Sequence, residues 1–251
     1  MIKSFFIALG LLTRIPVPKY FHIKENDDEK LFGWSVLFYP LIGLIIGGLL
    51  VFISWCLSFL TLPASGLIEA AILLIIWVLI TGALHLDGLA DSADAWLGGY
   101  GDQQRTLEIM KDPYSGPAAV VVLVLVLLLK FSVLINIAWP MLLLAPVLAR
   151  TAVMILLTTT PYVRKGGMAE VAVKNIPKIF VWFILILVLG LSVIFLQMQS
   201  WGLIILFIVA YLLRRLMLKR IQGVTGDTAG AMIEVMEVSV LLVLILLASI
   251  K

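Results

Sequence analysis

Seven stretches of this chain are so long and so apolar that their backbone must be satisfied inside helices. They run over about 33–60, 67–86, 117–138, 140–160, 179–197, 201–218 and 231–250. About 20 mostly apolar residues suffice to cross the hydrocarbon of a bilayer. No water is available there to pair exposed N–H and C=O groups, so a crossing segment closes its own hydrogen bonds as a helix. The expected fold class is therefore all-α: a polytopic integral membrane helical bundle of about seven transmembrane helices. Composition agrees, with 63% hydrophobic and 13% charged residues over 251, where a soluble domain is nearer half and a quarter. The weakest of the seven is the last, because Glu234 and Glu237 stand in its first turns. The short apolar stretch from Phe5 to Leu12 is followed by Arg14, Pro16 and Pro18, which suits a surface or re-entrant segment and not a signal peptide. No repeat divides the chain, so residues 1–251 are expected to form a single membrane-embedded domain.

The basic residues orient the bundle. Short cytoplasmic loops carry an excess of Lys and Arg. With the N-terminus cytoplasmic, 15 of the 18 basic residues fall on cytoplasmic segments, and the opposite loops near 61–66, 136–139 and 198–200 carry none. The expected setting is a prokaryotic cytoplasmic (inner) membrane, crossed several times, with the lipid bilayer as the obligatory partner. Nothing suggests a nucleic acid partner, and homo-oligomerisation is left open. The lone Cys56 excludes an intrachain disulfide and a cysteine zinc site.

The informative stretch runs from His85 to Gly116, HLDGLADSADAWLGGYGDQQRTLEIMKDPYSG. Asp87, Asp91 and Asp94 are spaced +4 and +3, which puts them within about 60° of one another on one helical face. Stacked carboxylates repel, and such a stack is explained if a cation sits against it. Gly98, Gly99 and Gly101 interrupt the helix, and Asp102 is placed to N-cap a second one carrying Arg105, Glu108 and Asp112. Folded back antiparallel, the hairpin would set Asp87 beside Asp112, Asp91 beside Glu108, and Asp94 beside Arg105. Five converging carboxylates would make an oxygen cage for Mg²⁺ or Mn²⁺ at the cytoplasmic face, and magnesium held this way also binds substrate phosphates. Arg105, Lys111, Arg164 and Lys165 are the cations placed to hold those phosphates. Gly166 and Gly167 follow the last two. Arg150 lies near the middle of a span, where a charge needs an ion-pair partner or a wet cavity. Lys130 is near enough to the end of its span to snorkel. Asp227 opens a second acidic segment with Glu234 and Glu237, where a helix N-terminus favours acids. His85 is either a proton-transfer group or a structural histidine.

Several of these stretches carry a resemblance. They are LTRIPVP at 12–18, YPLIG at 39–43, HLDGLADSAD at 85–94, EIMKD at 108–112, and TGD at 225–227 with Gly230-Ala231. Pro161-Tyr162 followed by Arg164 also fits. In this order, along nearly the whole chain, they resemble the cobalamin synthase (adenosylcobinamide-GDP ribazoletransferase) family. Tyr114 departs from the pattern, standing where an arginine is common. The resemblance implies a transferase that joins two substrates, a corrinoid nucleotide (adenosylcobinamide-GDP) and α-ribazole or its 5′-phosphate, and releases GMP. It implies metal ligation by Asp87, Asp91, Asp94, Glu108 and Asp112, and catalysis by Asp91, His85 or Glu108. It further implies substrate contacts from Arg105, Lys111, Arg150, Arg164, Lys165 and Asp227. Two other classes compete. A CDP-alcohol phosphatidyltransferase or membrane prenyltransferase also uses aspartates and Mg²⁺, but the first would place Arg where Asp91 stands. A transporter would collect its polar groups at mid-membrane, whereas here the acids gather beyond the helix ends.

Overall fold

The computed structural model describes residues 1–21, 28–60, 65–164 and 168–248. Among them the chain is helical throughout, apart from one isolated parallel bridge between Tyr162 and Val224. A short helix α1 (Ile2–Leu12) packs on α2 (Lys30–Ser35), which continues through a 3₁₀ turn into α3 (Tyr39–Ser58). Then come α4 (Ser65–Thr81), α5 (Leu84–Gly98), the short α6 (Gln103–Ile109), α7 (Pro117–Leu134) and α8 (Leu144–Thr159). The remainder is α9 (Met168–Lys174), α10 (Lys178–Leu196), α11 (Gly202–Ile221) and α12 (Gly226–Ala248).

The expected helical bundle is present, with two boundaries moved for physical reasons. The second span ends at Thr81 and does not continue to 86, because Gly82 (φ 61°) and Ala83 (φ 57°) both adopt the left-handed conformation. The chain bends there by 85°, so α5 leaves the line of α4. A residue with a Cβ at 82 would collide with the Arg14 side chain, and the backbone N–H of Arg14 is tied to the Ile80 carbonyl at 2.7 Å. The last helix begins earlier than its apolar run, at Gly226, and stays long and apolar enough to cross from there to Leu247. Among the described residues, five helices qualify as crossings by length and composition, or six with the bent pair counted as one. α11 misses only because Arg214, Arg215, Lys219 and Arg220 fill its last two turns. It still runs antiparallel to α12, with Gly202 against Val243 and Leu247.

Three helices form the interior. α8 packs against both α3 and α12, and α12 against α5. Gly43 and Gly47 of α3 meet the backbone of Pro146, Leu143 and Val147, a small-xxx-small contact that lets helices approach closely in lipid. Within the spans, 72% of α12 is buried but only 17% of α10, whose Ile179, Phe183, Ile186 and Ile194 face outward.

Inside this interior lies a charge-balanced network, in which Arg150 Nε and Nη2 have no hydrogen-bond partner among the described residues. Lys130 of α7 donates to Glu234 and Glu237 of α12, at 2.6 Å each, and stands 4.8 Å over the Trp77 ring. Glu237 also pairs with Arg150 of α8. All four ionic side chains are buried. The reading of Lys130 as a snorkelling residue is therefore corrected: buried carboxylates were within reach, so the ammonium stays inside. The same pairing accounts for the two glutamates in a membrane helix, since buried charge persists there when it is paired.

The loops at one end of the bundle are cross-tied. Val163 N–H donates to Val224 O (3.0 Å) and Val224 N–H to Pro161 O (2.9 Å). Gln103 donates to Ile221 O at 2.9 Å. At the other end Gln199 reaches Leu247 O. The starts of α7 and α12 and the ends of α8 and α11 thus share one end, and α5 runs across it.

Candidate active site

α5 carries its aspartates across the end of the bundle by burying its other face. His85, Leu86, Gly88, Leu89, Ala90, Ser92 and Ala95 are buried, while Asp87 is exposed and Asp91 and Asp94 are half-buried. The packing partner is α12. Gly88 lies so close to it that an added Cβ would come within 2.6 Å of the Asp227 carbonyl oxygen, and Gly230 lies in ordinary contact over His85, where an added Cβ would meet the His85 Cα at 3.4 Å. Those two glycines fix the height at which Asp227 meets α5. The Tyr162–Val224 bridge brings in the loop after α8, and Arg164 pairs with Asp227 at 3.0 Å.

The result is a carboxylate group different from the expected hairpin cage. Asp91 carries the record of it. Burial pushes its carboxyl up to about 6, and the charges of Asp87, Asp227 and Asp94 add to the rise, with Arg164 opposing them. Each nearby negative charge disfavours ionising the next. An acid this perturbed, half-buried among other carboxylates, is a functional-site signature.

The other expected members go elsewhere. Asp94 accepts hydrogen bonds from the Gly116 and Ala119 N–H groups, at 2.5 and 3.0 Å, and so caps the start of α7. Asp102 caps α6 as expected, accepting from Arg105 N–H at 3.0 Å. The α6 helix then stops at Ile109, so Asp112 lies beyond it and accepts from Tyr114 N–H at 3.0 Å. Glu108 is exposed and occupied by Gln104 (3.1 Å) and Arg105 (3.9 Å). The pairing of Asp87 with Asp112, Asp91 with Glu108 and Asp94 with Arg105 is therefore corrected. The turn is tighter than a mirrored hairpin requires: Thr106 donates to Gly99 O at 2.9 Å, and Ile109 packs on Gly98.

His85 is buried, and its ring hydrogen-bonds the Leu12 carbonyl, while Nε2 has no partner. It does not open onto the aspartates, which favours the structural alternative for this residue. Arg150 is fully buried and held by Glu237, so no part of it reaches a substrate from where it lies. Lys111 is exposed and shares a surface hollow with Glu108 and Asp102. Lys165 lies outside the described residues. Among the described residues, Arg164 and Asp227 are the expected substrate contacts that stand at the aspartates of α5. What sequence reasoning missed is that Asp227 belongs with Asp87 and Asp91. The signal was Gly230 three residues later, a small residue matched to Gly88.

The donor set suits a hard divalent cation: carboxylate oxygens, no sulfur, and more negative charge than Arg164 cancels. Among the described residues no three His, Cys, Asp or Glu side chains already close on a common point. The chemistry of the ligands fits, and the side chains would have to turn inward to hold an ion.

Fold and site define a polytopic helical membrane protein with an acidic recess at one end of its bundle. Comparison with known proteins makes this specific. Residues 4–245 match the family model described as Cobalamin-5-phosphate synthase. A protein of Pseudomonas entomophila named adenosylcobinamide-GDP ribazoletransferase is 50% identical over 97% of this chain and 98% of its own length. Proteins of the same name from Pseudomonas putida (48%; 95% of this chain, 96% of theirs) and Stutzerimonas stutzeri (49%; 94% of each) are similarly close. No solved structure matches the chain. The chain belongs to the Cobalamin-5-phosphate synthase family, and it is an enzyme.

Proposed function

We propose that this enzyme joins adenosylcobinamide-GDP to α-ribazole or its 5′-phosphate and releases GMP, at the recess formed by Asp87, Asp91, Asp227 and Arg164. The family supports the reaction. The observation that supports the place is the unneutralised carboxylate group, with Asp91 raised to about 6 by its surroundings.

A ribose hydroxyl of ribazole attacks the phosphorus attached to cobinamide. The new P–O bond forms as the bond to GMP breaks, and GMP leaves with the bridging oxygen. Asp91, ionised at neutral pH and near its own pKa, takes the hydroxyl proton, which is where a general base works best. Arg164 binds phosphate oxygens and exchanges Asp227 for them in part. Asp87 and Asp227 would hold a divalent cation, Mg²⁺ or Mn²⁺, which would supply charge neutralisation for the diphosphate. The site end of the bundle carries the basic loops, so it faces the cytoplasm of a prokaryotic inner membrane by the positive-inside rule.

The test is GMP release by detergent-purified protein given both substrates, with and without Mg²⁺. Metal-dependent GMP together with a corrinoid product is the expected outcome. A folded protein that releases no GMP under either condition overturns the assignment.

A further inference from the structure

The face of α5 opposite its aspartates is also used. Leu89, Ser92, Ala93 and Trp96 lie roughly 180° around the helix from Asp87 and Asp91. They form one wall of a cleft of about 570 Å³, closed by Val122 of α7, Met217 of α11 and Val235 of α12. The walls are almost entirely apolar. At the end of the bundle the cleft runs into a second hollow of about 560 Å³, sharing Tyr100, Leu216 and Arg220 with it and adding Lys219 and Gln222. There the Arg220 guanidinium lies 4.7 Å over the Tyr100 ring. Neither Arg220 nor Lys219 meets a carboxylate among the described residues.

We propose that this cleft binds one anionic glycerophospholipid of the surrounding bilayer, with an acyl chain between α5 and α11 and the phosphate at Arg220 and Lys219. Charge complementarity selects the occupant. The apolar part opens beside the exposed Leu97, where an acyl chain can enter, and the basic part lies at the end of the bundle. Basic pockets between membrane helices take anionic headgroups in this way, at about 1 kcal/mol per cation. Trp96 and Tyr100 mark the same level, since amphipathic rings sit at the membrane–water boundary. A lipid in the cleft would brace α5 from behind and so steady the aspartates on its other face.

The probe is phosphatidylglycerol against phosphatidylcholine, in nanodiscs of each, with retained lipid counted by native mass spectrometry. Wild type should retain one phosphatidylglycerol, favoured about thirtyfold over phosphatidylcholine as two cations at the headgroup allow. The pair Lys219→Gln with Arg220→Gln should lose that preference, and Ala93→Trp, which fills the cleft, should retain neither lipid. Equal retention of the two lipids by wild type overturns the proposal, whether or not the variants fold. So does retention unchanged in both variants. Displacement of phosphatidylglycerol by α-ribazole 5′-phosphate would make the cleft a substrate site and also overturn it.

Discussion

In the middle of the bundle Lys130, Arg150, Glu234 and Glu237 cancel one another's charge, buried and hydrogen-bonded. At its end Asp87, Asp91 and Asp227 face Arg164 and little else that is positive. Both groups use the same residue types, and α12 contributes to both. The difference is charge balance: two cations meet two carboxylates in the interior, whereas three aspartates share Arg164 at the end. A buried group has to be neutral as built, because charge stranded in a low-dielectric interior costs several kcal/mol. A group open to water can be left unbalanced, and an unbalanced group keeps capacity for a ligand.

The sharpest way to break the comparison is to remove one charge from each group. Asp91→Asn should cut GMP release by about 10²–10⁴-fold, the range for a lost general base, with the protein still monodisperse in detergent. The wild-type rate should fall about tenfold per pH unit below about 6, because a carboxyl with a raised pKa is protonated there and cannot accept a proton. A flat profile down to pH 5 would remove Asp91 from that role. Glu237→Ala should act on the other axis. It leaves Arg150 and Lys130 underpaired, so about 3–5 kcal/mol of stability should be lost, read as a lowered unfolding temperature in detergent. If Glu237→Ala is as stable as wild type, the central network is not what holds α7, α8 and α12 together.

Smaller effects sharpen the boundary between the groups. Gly88→Ala places a methyl against the Asp227 backbone, and overpacking of this kind costs about 1–3 kcal/mol. It should also lower turnover by pushing α12 away from α5, measured as kcat at saturating substrates.

Much of this was legible in the chain. The apolar runs gave the bundle, the Lys and Arg bias matched the end at which the site lies, and the +4, +3 aspartates gave the α5 face. The hairpin register was not legible. Helical spacing said which residues share a face on α6, but not that α6 would end at Ile109 and leave Asp112 in a turn. Nor could spacing show that Asp94 would be taken by the N–H groups of Gly116 and Ala119, which had no other cap. The Asp227 partnership depended on contact between residues over a hundred positions apart, set by Gly88 and Gly230. Arg150 and Lys130 were recognised as anomalous in a membrane span, but their partners became visible only when α7, α8 and α12 were seen side by side.

The most direct measurement compares Asp227→Asn with Glu108→Gln in Mg²⁺ titrations of GMP release. If the working carboxylates are those of α5 and α12, Asp227→Asn should lower turnover about a hundredfold or more and raise the Mg²⁺ needed for half-maximal rate. Glu108→Gln should stay within about threefold of wild type in both, since an exposed side chain away from the site contributes little. The reverse pattern, with Glu108→Gln inactive and Asp227→Asn near wild type, would contradict the account and return the site to the α5–α6 hairpin.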